Sequence, residues 1–199
     1  MDIQALNKIV GNHSSRTQEG WKLSPEEPYS VRCINLNNPE DIQRFYDIDC
    51  HPQALEFMSP SAPSSPEDLD AQMSDPLLWV IADDRNRMIG WVQYYQDDLT
   101  RQQRQLFNIP QNALVLETSY AKLLTENNRG VTVSGLRQTL ALIKKLVEET
   151  PAQPIFIIAF TFPENTSSEA VLVKNGFQKQ TEQVDYEGEM DNLWIKQIN

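Results

Sequence analysis

Apolar and polar positions divide the chain into short strands and amphipathic helices. Tyr29 to Asn35 alternates loosely, Val31 and Cys33 against Arg32 and Ile34, as a first strand does. Asn38-Pro39-Glu40-Asp41 opens a helix, with Asn38 as N-cap and Pro39 at the first helical position, where a missing N–H costs nothing. Ser59 to Ser65 holds two prolines and four serines and reads as loop, after which Ser65-Pro66-Glu67-Asp68 starts a second short helix by the same logic. Leu77 to Ala82 and Met88 to Tyr95 are apolar, β-branched and aromatic, and the polar run Asp83 to Arg87 between them predicts a β-hairpin.

Gln96 to Gln111 is a charged, glutamine-rich connection that we expect to be partly helical. Ala113 to Leu124 is assigned as a strand, although its Leu and Ala content also permits helix. Val133, Leu136, Leu140, Ile143 and Val147 recur at spacings of three and four and mark one face of a helix ending before Pro151. Pro154 to Phe162 is a nearly unbroken apolar run of strand length, expected mid-sheet with both faces covered. Asn165 to Glu169 offers helix caps, including a Thr166-x-x-Glu169 capping box, and Gly176 closes that helix. Gln178 to Val184 and Asn192 to Ile198 finish as strands about an acidic turn. The expected order is β, α, α, β, β, β, α, β, α, β, β, a mixed sheet with helices on its faces. Residues 1–28 are polar, end in Ser24-Pro25-Glu26-Glu27-Pro28, and read as an extension ahead of a domain at 29–199.

Composition narrows the function classes. At 199 residues with 40% apolar content, the chain suits one well-buried domain. No run approaches the ~18 apolar residues of a membrane span, and the N-terminus lacks a secretory pattern, so we expect a cytoplasmic protein without a membrane partner. A net charge of -11 disfavours nucleic acid, and it either attracts a cationic ligand or serves solubility alone. Cys33, Cys50, His13 and His51 are too few and too scattered for a disulfide framework or a metal site, so no metal is expected.

Two segments carry the chemistry. Asn128-Arg129-Gly130-Val131-Thr132-Val133-Ser134-Gly135-Leu136 is a small-residue turn opening a helix. Such a turn leaves backbone N–H groups unpaired at the positive end of the helix dipole, which suits a phosphate, and Arg129 adds a fixed charge. The second, Asn165 to Phe177, is explained as a capped helix only in part.

That second stretch resembles the motif N-x-x-S-x-x-V/L-L/Y-x-K-x-G-F of the GNAT (general-control-related N-acetyltransferase) superfamily, at Asn165, Ser168, Val171, Leu172, Lys174, Gly176 and Phe177. The first is similar to that family's R-G-x-G-x-G/A turn at Arg129 and Gly130, with Thr132 and Ser134 replacing small residues. The resemblance implies a single-domain α+β (mixed α/β) GNAT fold: a central, mostly antiparallel mixed sheet with one splayed parallel strand pair and helices on both faces. It further implies acetyl-CoA as acyl donor, with pantetheine along Leu123 and Leu124. The pyrophosphate would lie on the amides of Arg129, Gly130, Val131, Thr132, Val133 and Ser134, Asn165 would face the pantetheine, and Lys174 would stand near the nucleotide. The expected reaction acetylates a primary amine, on a small molecule or a protein N-terminus, by direct attack in a ternary complex. The protein acting on it is expected to be a monomer or homodimer.

Glu117 is the expected general base, because a carboxylate buried in the strand leading to the turn titrates nearer neutrality. The family's tyrosine acid aligns with Leu172, so Tyr120 or Ser119 is expected to replace it, or water to serve, since a thiolate is already a tolerable leaving group. Trp79, Trp91, Tyr94 and Tyr95 are either core or acceptor-pocket residues. The alternative is a catalytically silent module of this fold that binds acyl-CoA or a protein partner.

Overall fold

The computed structural model describes residue 4 and residues 20–52, 71–73, 75, 77–97, 99–124, 130–148, 153–186 and 189–198. Its strands are β1 (Ser30–Cys33), β2 (Leu78–Ala82), β3 (Met88–Gln96), β4 (Leu114–Lys122), β5 (Ile155–Thr161), β6 (Gln178–Tyr186) and β7 (Glu189–Ile198). Its helices are α1 (Pro39–Asp49), α2 (Arg101–Leu106), α3 (Val131–Glu148) and α4 (Thr166–Lys174). The strands form one sheet of order β1-β2-β3-β4-β5-β7-β6, antiparallel throughout except for the parallel pair β4 and β5.

The expected hairpin, the strand over Ala113 to Leu124 and the doubly covered strand are all present. β5 turns Ile155, Ile157 and Ala159 toward one layer and Phe156 and Ile158 toward the other, which is why its sequence shows no alternation. α3 and α4 cover the first face, with Leu136, Leu140, Ile143 and Leu172 packed on Trp79, Ile81 and Leu116. On the second face Phe45 and Ile48 of α1 pack with Val80 and Trp91, while Phe107 and Ile109, just after α2, pack with Val115 and Phe156. Helices thus lie on both faces, as expected. A Cβ on Gly135 would collide with the Ile81 side chain, so glycine lets α3 approach the sheet closely.

Local chemistry sets the helix ends. Asn38 accepts from the Glu40 amide at 3.1 Å, with Pro39 at the first helical position. α2 starts in a Thr100–Gln103 capping box that the sequence reading had not anticipated. The box expected at Thr166 does not form. Asn165 caps α4, accepting from Ser168 N at 3.0 Å, and Glu169 instead takes Lys179 Nζ at 2.7 Å and Asn192 Nδ2 at 2.9 Å. A longer reach across to β6 and β7 wins because two donors converge there. The second short helix, expected from Ser65, lies outside the described residues except at 71–73, which are helical.

Residues 20–28, expected as part of an extension, make contacts with the elements that follow. Trp21 pairs with Val31, donating to its carbonyl at 2.7 Å, and Leu23 N donates to Gln138 Oε1 at 3.2 Å. Glu27 is buried, and its carboxylate receives Arg137 Nη2 at 2.7 Å and Ser134 Oγ at 2.8 Å. Residues 20–28 are therefore docked on α3, because a polar segment with a single well-placed carboxylate finds a guanidinium and a hydroxyl on that helix.

Candidate active site

β4 and β5 stay paired over only four positions, Leu114↔Ile155 to Glu117↔Ile158. β4 then continues to Lys122 beside β3, and β5 to Thr161 beside β7, with no further pairing between them among the described residues. A gap therefore opens in the sheet beginning at Glu117. Over residues 118–122 the backbone groups of β4 that point toward β5 meet no strand among the described residues, which is where an extended ligand can add as a surrogate strand. Leu123 is buried, with its N–H given to Ile89 O at 3.0 Å, and Leu124 is exposed.

Three elements converge on this gap. Tyr120 reaches from β4 to the first turn of α4, where its hydroxyl donates to Ser168 O at 3.2 Å and shares a 2.7 Å bond with Ser168 Oγ. Asn175, the C-cap of α4, donates through Nδ2 to Val133 O at 3.3 Å and so ties α4 to the first turn of α3. That turn begins at Gly130, whose φ of 77° suits glycine and whose Cα side faces open space. The amides of Val131, Thr132 and Val133 have no acceptor within the helix. Ser134 differs: its N–H is already given to Gly130 O at 2.9 Å and its buried hydroxyl to Glu27. Both donors of Ser134 are thus engaged within the fold. Arg129 lies outside the described residues. Lys174 is exposed, and the Oδ1 of Asn165 is committed to capping α4.

Glu117 sits where the strands part. It is buried and accepts the Tyr95 hydroxyl at 2.6 Å from the neighbouring strand. Tyr120 follows it by an odd step of three positions, so the two project to opposite faces of β4. Glu117 and Ser119 look toward α1, and Tyr120 toward α4. The expected base and acid thus do not share a face, but both border the same gap. Burial pushes the Tyr120 hydroxyl well above its ordinary range, and its bond to Ser168 offsets only part of this. It consequently stays protonated throughout the neutral range. Leu172 is wholly buried in the α3 core.

The four aromatics divide. Trp79 and Tyr94 are core residues on the α3 face, with the Tyr94 hydroxyl 2.7 Å from Thr139 Oγ1. Trp91 and Tyr95 lie on the α1 face and hold carboxylates: Trp91 Nε1 donates to Asp49 Oδ1 at 2.7 Å. Asp49, at the end of α1, is buried, and desolvation pushes its carboxyl up to about 7 against the lowering effect of the indole N–H. Sequence reasoning missed Asp49 and Asp75. The signal for Asp49 was its place on the apolar stripe of α1, four residues after Phe45, at a helix end whose dipole disfavours a negative charge.

A mixed sheet whose single parallel pair parts beside a glycine-led helix N-terminus has the architecture of the CoA-dependent N-acyltransferases. The sequence profile described as Acetyltransferase (GNAT) domain matches residues 33–178, most of the chain, and the chain belongs to that family of acetyltransferases. Its fold is similar to that of a GNAT-family acetyltransferase from Bacillus anthracis (16% identity over 86% of this chain and 95% of that one, TM-score 0.59). It is also similar to the spermidine N-acetyltransferase of Vibrio cholerae solved with CoA and spermine (12% identity, 86% and 96%, TM-score 0.59). A third likeness is to the ribosomal-protein-S5-alanine acetyltransferase of Vibrio fischeri (18% identity, 90% and 97%, TM-score 0.56). No curated protein matches the sequence.

Proposed function

We propose that the protein transfers an acetyl group from acetyl-CoA to a primary amine by direct attack in a ternary complex. The observation that carries this is the opening of the sheet immediately after the buried Glu117, in a chain of this family. Pantetheine fits the open edge of β4 up to Leu123 and Leu124, and the pyrophosphate fits the free amides of Val131, Thr132 and Val133 behind Gly130. The reacting thioester then stands in the gap, with Glu117 on its α1 side and Tyr120 on its α4 side.

Glu117 accepts the proton that the acceptor ammonium must lose, directly or through a water, while the Tyr95 hydroxyl holds the carboxylate in place. The freed nitrogen attacks the thioester carbonyl, the C–N bond forms and the C–S bond breaks. Tyr120 gives its proton to the departing sulfur, and the second proton that the nitrogen sheds as the amide forms returns to the phenolate through solvent. Amine acceptors in two structural neighbours, spermine in one and a ribosomal-protein alanine in another, agree with this class of nucleophile.

CoA-thiol release measured over a panel of amines tests the reading. Glu117→Gln should lower kcat by about a hundredfold or more with acetyl-CoA affinity unchanged. Equal turnover would remove Glu117 from the mechanism. A second reading, binding of acyl-CoA or a protein partner without turnover, draws on Leu172, which buries an apolar side chain where the family resemblance implies a tyrosine acid. Acetyl-CoA binding without thiol release for any amine would select it.

A further inference from the structure

β3 turns three successive same-face side chains toward α1, and each donates to a carboxylate. Trp91 Nε1 reaches Asp49 Oδ1 at 2.7 Å, Gln93 Nε2 reaches Asp75 Oδ2 at 3.2 Å, and the Tyr95 hydroxyl reaches Glu117 Oε1 at 2.6 Å. Alternate strand residues stand about 7 Å apart, so the row extends about 13 Å. In register it lies beside Ala121, Ser119 and Glu117, along the part of β4 that leaves β5.

Charge compensation at Asp49 and Asp75 differs from that at two other buried acids. Buried Asp41 is paired with Arg32 at 2.6 Å, and buried Glu27 with Arg137 at 2.7 Å. Asp49 and Asp75 are held instead by neutral groups, Asp75 also accepting the Leu77 amide at 2.8 Å. Asp49 is only 3% exposed, and its Oδ2 meets no hydrogen-bond donor among the described residues. An ionised carboxylate buried with an unsatisfied oxygen is costly, and an ammonium group supplies both the missing donor and the counter-charge.

We propose that Asp49 and Asp75 form a tail subsite beside Glu117, which selects acceptors carrying a second ammonium group several ångströms from the reacting nitrogen, as linear diamines and polyamines do. The inference rests on the reading of the Glu117 face as the acceptor side. A monoamine leaves the subsite empty. A diamine places its reacting nitrogen at Glu117 and its far charge at Asp75 or Asp49.

Calorimetric titration of the full chain with spermidine, 1,4-diaminobutane and butylamine, in about 0.2 M salt to screen exposed charge, separates tail binding from turnover. Wild type should bind spermidine one to one and about tenfold or more tighter than butylamine, and Asp49→Asn should narrow that ratio about tenfold. Asp75→Asn should narrow it too, which keeps the test intact if Asp49→Asn fails to fold. Equal affinities of the wild type for all three amines would overturn the subsite, as would an unchanged ratio in both variants. Thiol release with the same kcat/KM for diamines and monoamines sinks the subsite and leaves the acetyltransfer reading standing. One-to-one spermidine binding that depends on Asp49, without thiol release, supports the subsite and sinks the acetyltransfer reading.

Discussion

Stability should fall with rising pH in the wild type and fall less in Asp49→Asn. Desolvation raises the Asp49 carboxyl to about 7 in the folded chain from an ordinary 3.8, so between those values the folded state binds a proton that the unfolded state has released. A native state that holds more protons loses stability as pH rises, and the loss is complete above about 7 and absent below about 4. At about 1.4 kcal/mol per pH unit, the shift of about three units amounts to about 4 kcal/mol, of which roughly 3 falls between about pH 5 and 7. Asparagine keeps an acceptor for the Trp91 N–H but places an amide N–H₂ where Oδ2 finds no partner, a pH-independent cost of about 1 to 3 kcal/mol. The variant should therefore be the less stable protein near pH 5 and match or exceed the wild type near pH 8. Urea unfolding of both at four pH values, at a common m, measures the difference. A difference that stays constant within about 0.5 kcal/mol across the range would refute the buried, cation-free state of Asp49.

Tyr120→Phe should lower kcat about tenfold or more, with little change in the KM for acetyl-CoA, if its hydroxyl protonates the leaving thiolate; an unchanged kcat assigns that proton to water. Because burial holds Tyr120 protonated well past neutrality, the wild-type rate should show no alkaline decline from this group up to about pH 10, the ordinary tyrosine value. Gly135→Val should destabilise the fold by about 1 to 3 kcal/mol, since the added side chain meets Ile81 and pushes α3 off the sheet. Urea midpoints check this, and an unchanged midpoint would show that α3 does not need the close approach.

The fold was legible wherever a pattern had one solution. The apolar run of β5 and the three-and-four spacing of α3 each admit a single placement, and the hairpin announces itself by its polar turn. Features fixed by tertiary partners were less visible. Thr166 and Asn165 are equal caps on paper, and only the convergence of Lys179 and Asn192 on Glu169 decides between them. Glu27 looks like linker until Arg137 and Ser134, more than a hundred residues away, appear beside it. Glu117 and Tyr120 were legible as candidates because they lie on the strand that leads to the turn. That they stand on opposite faces follows from the strand assignment, yet their relation to one gap required the pairing to end at Glu117. Asp49 and Asp75 carry no motif, because their role depends on which β3 side chain each one meets.

The parting of β4 from β5 also governs mechanics. Among the described residues, four rungs of parallel pairing join the strands of one plate, β1 to β4, to those of the other, β5 to β7. The domain is stitched along a seam shorter than either strand, with the Tyr120–Ser168 contact as a cross-brace at the open end. A ligand that lies along the free edge of β4 extends that seam and becomes a structural member. Occupancy and cohesion are then the same quantity seen twice: at a hundred times its dissociation constant, such a ligand adds about 2.7 kcal/mol to the stability of the chain that holds it.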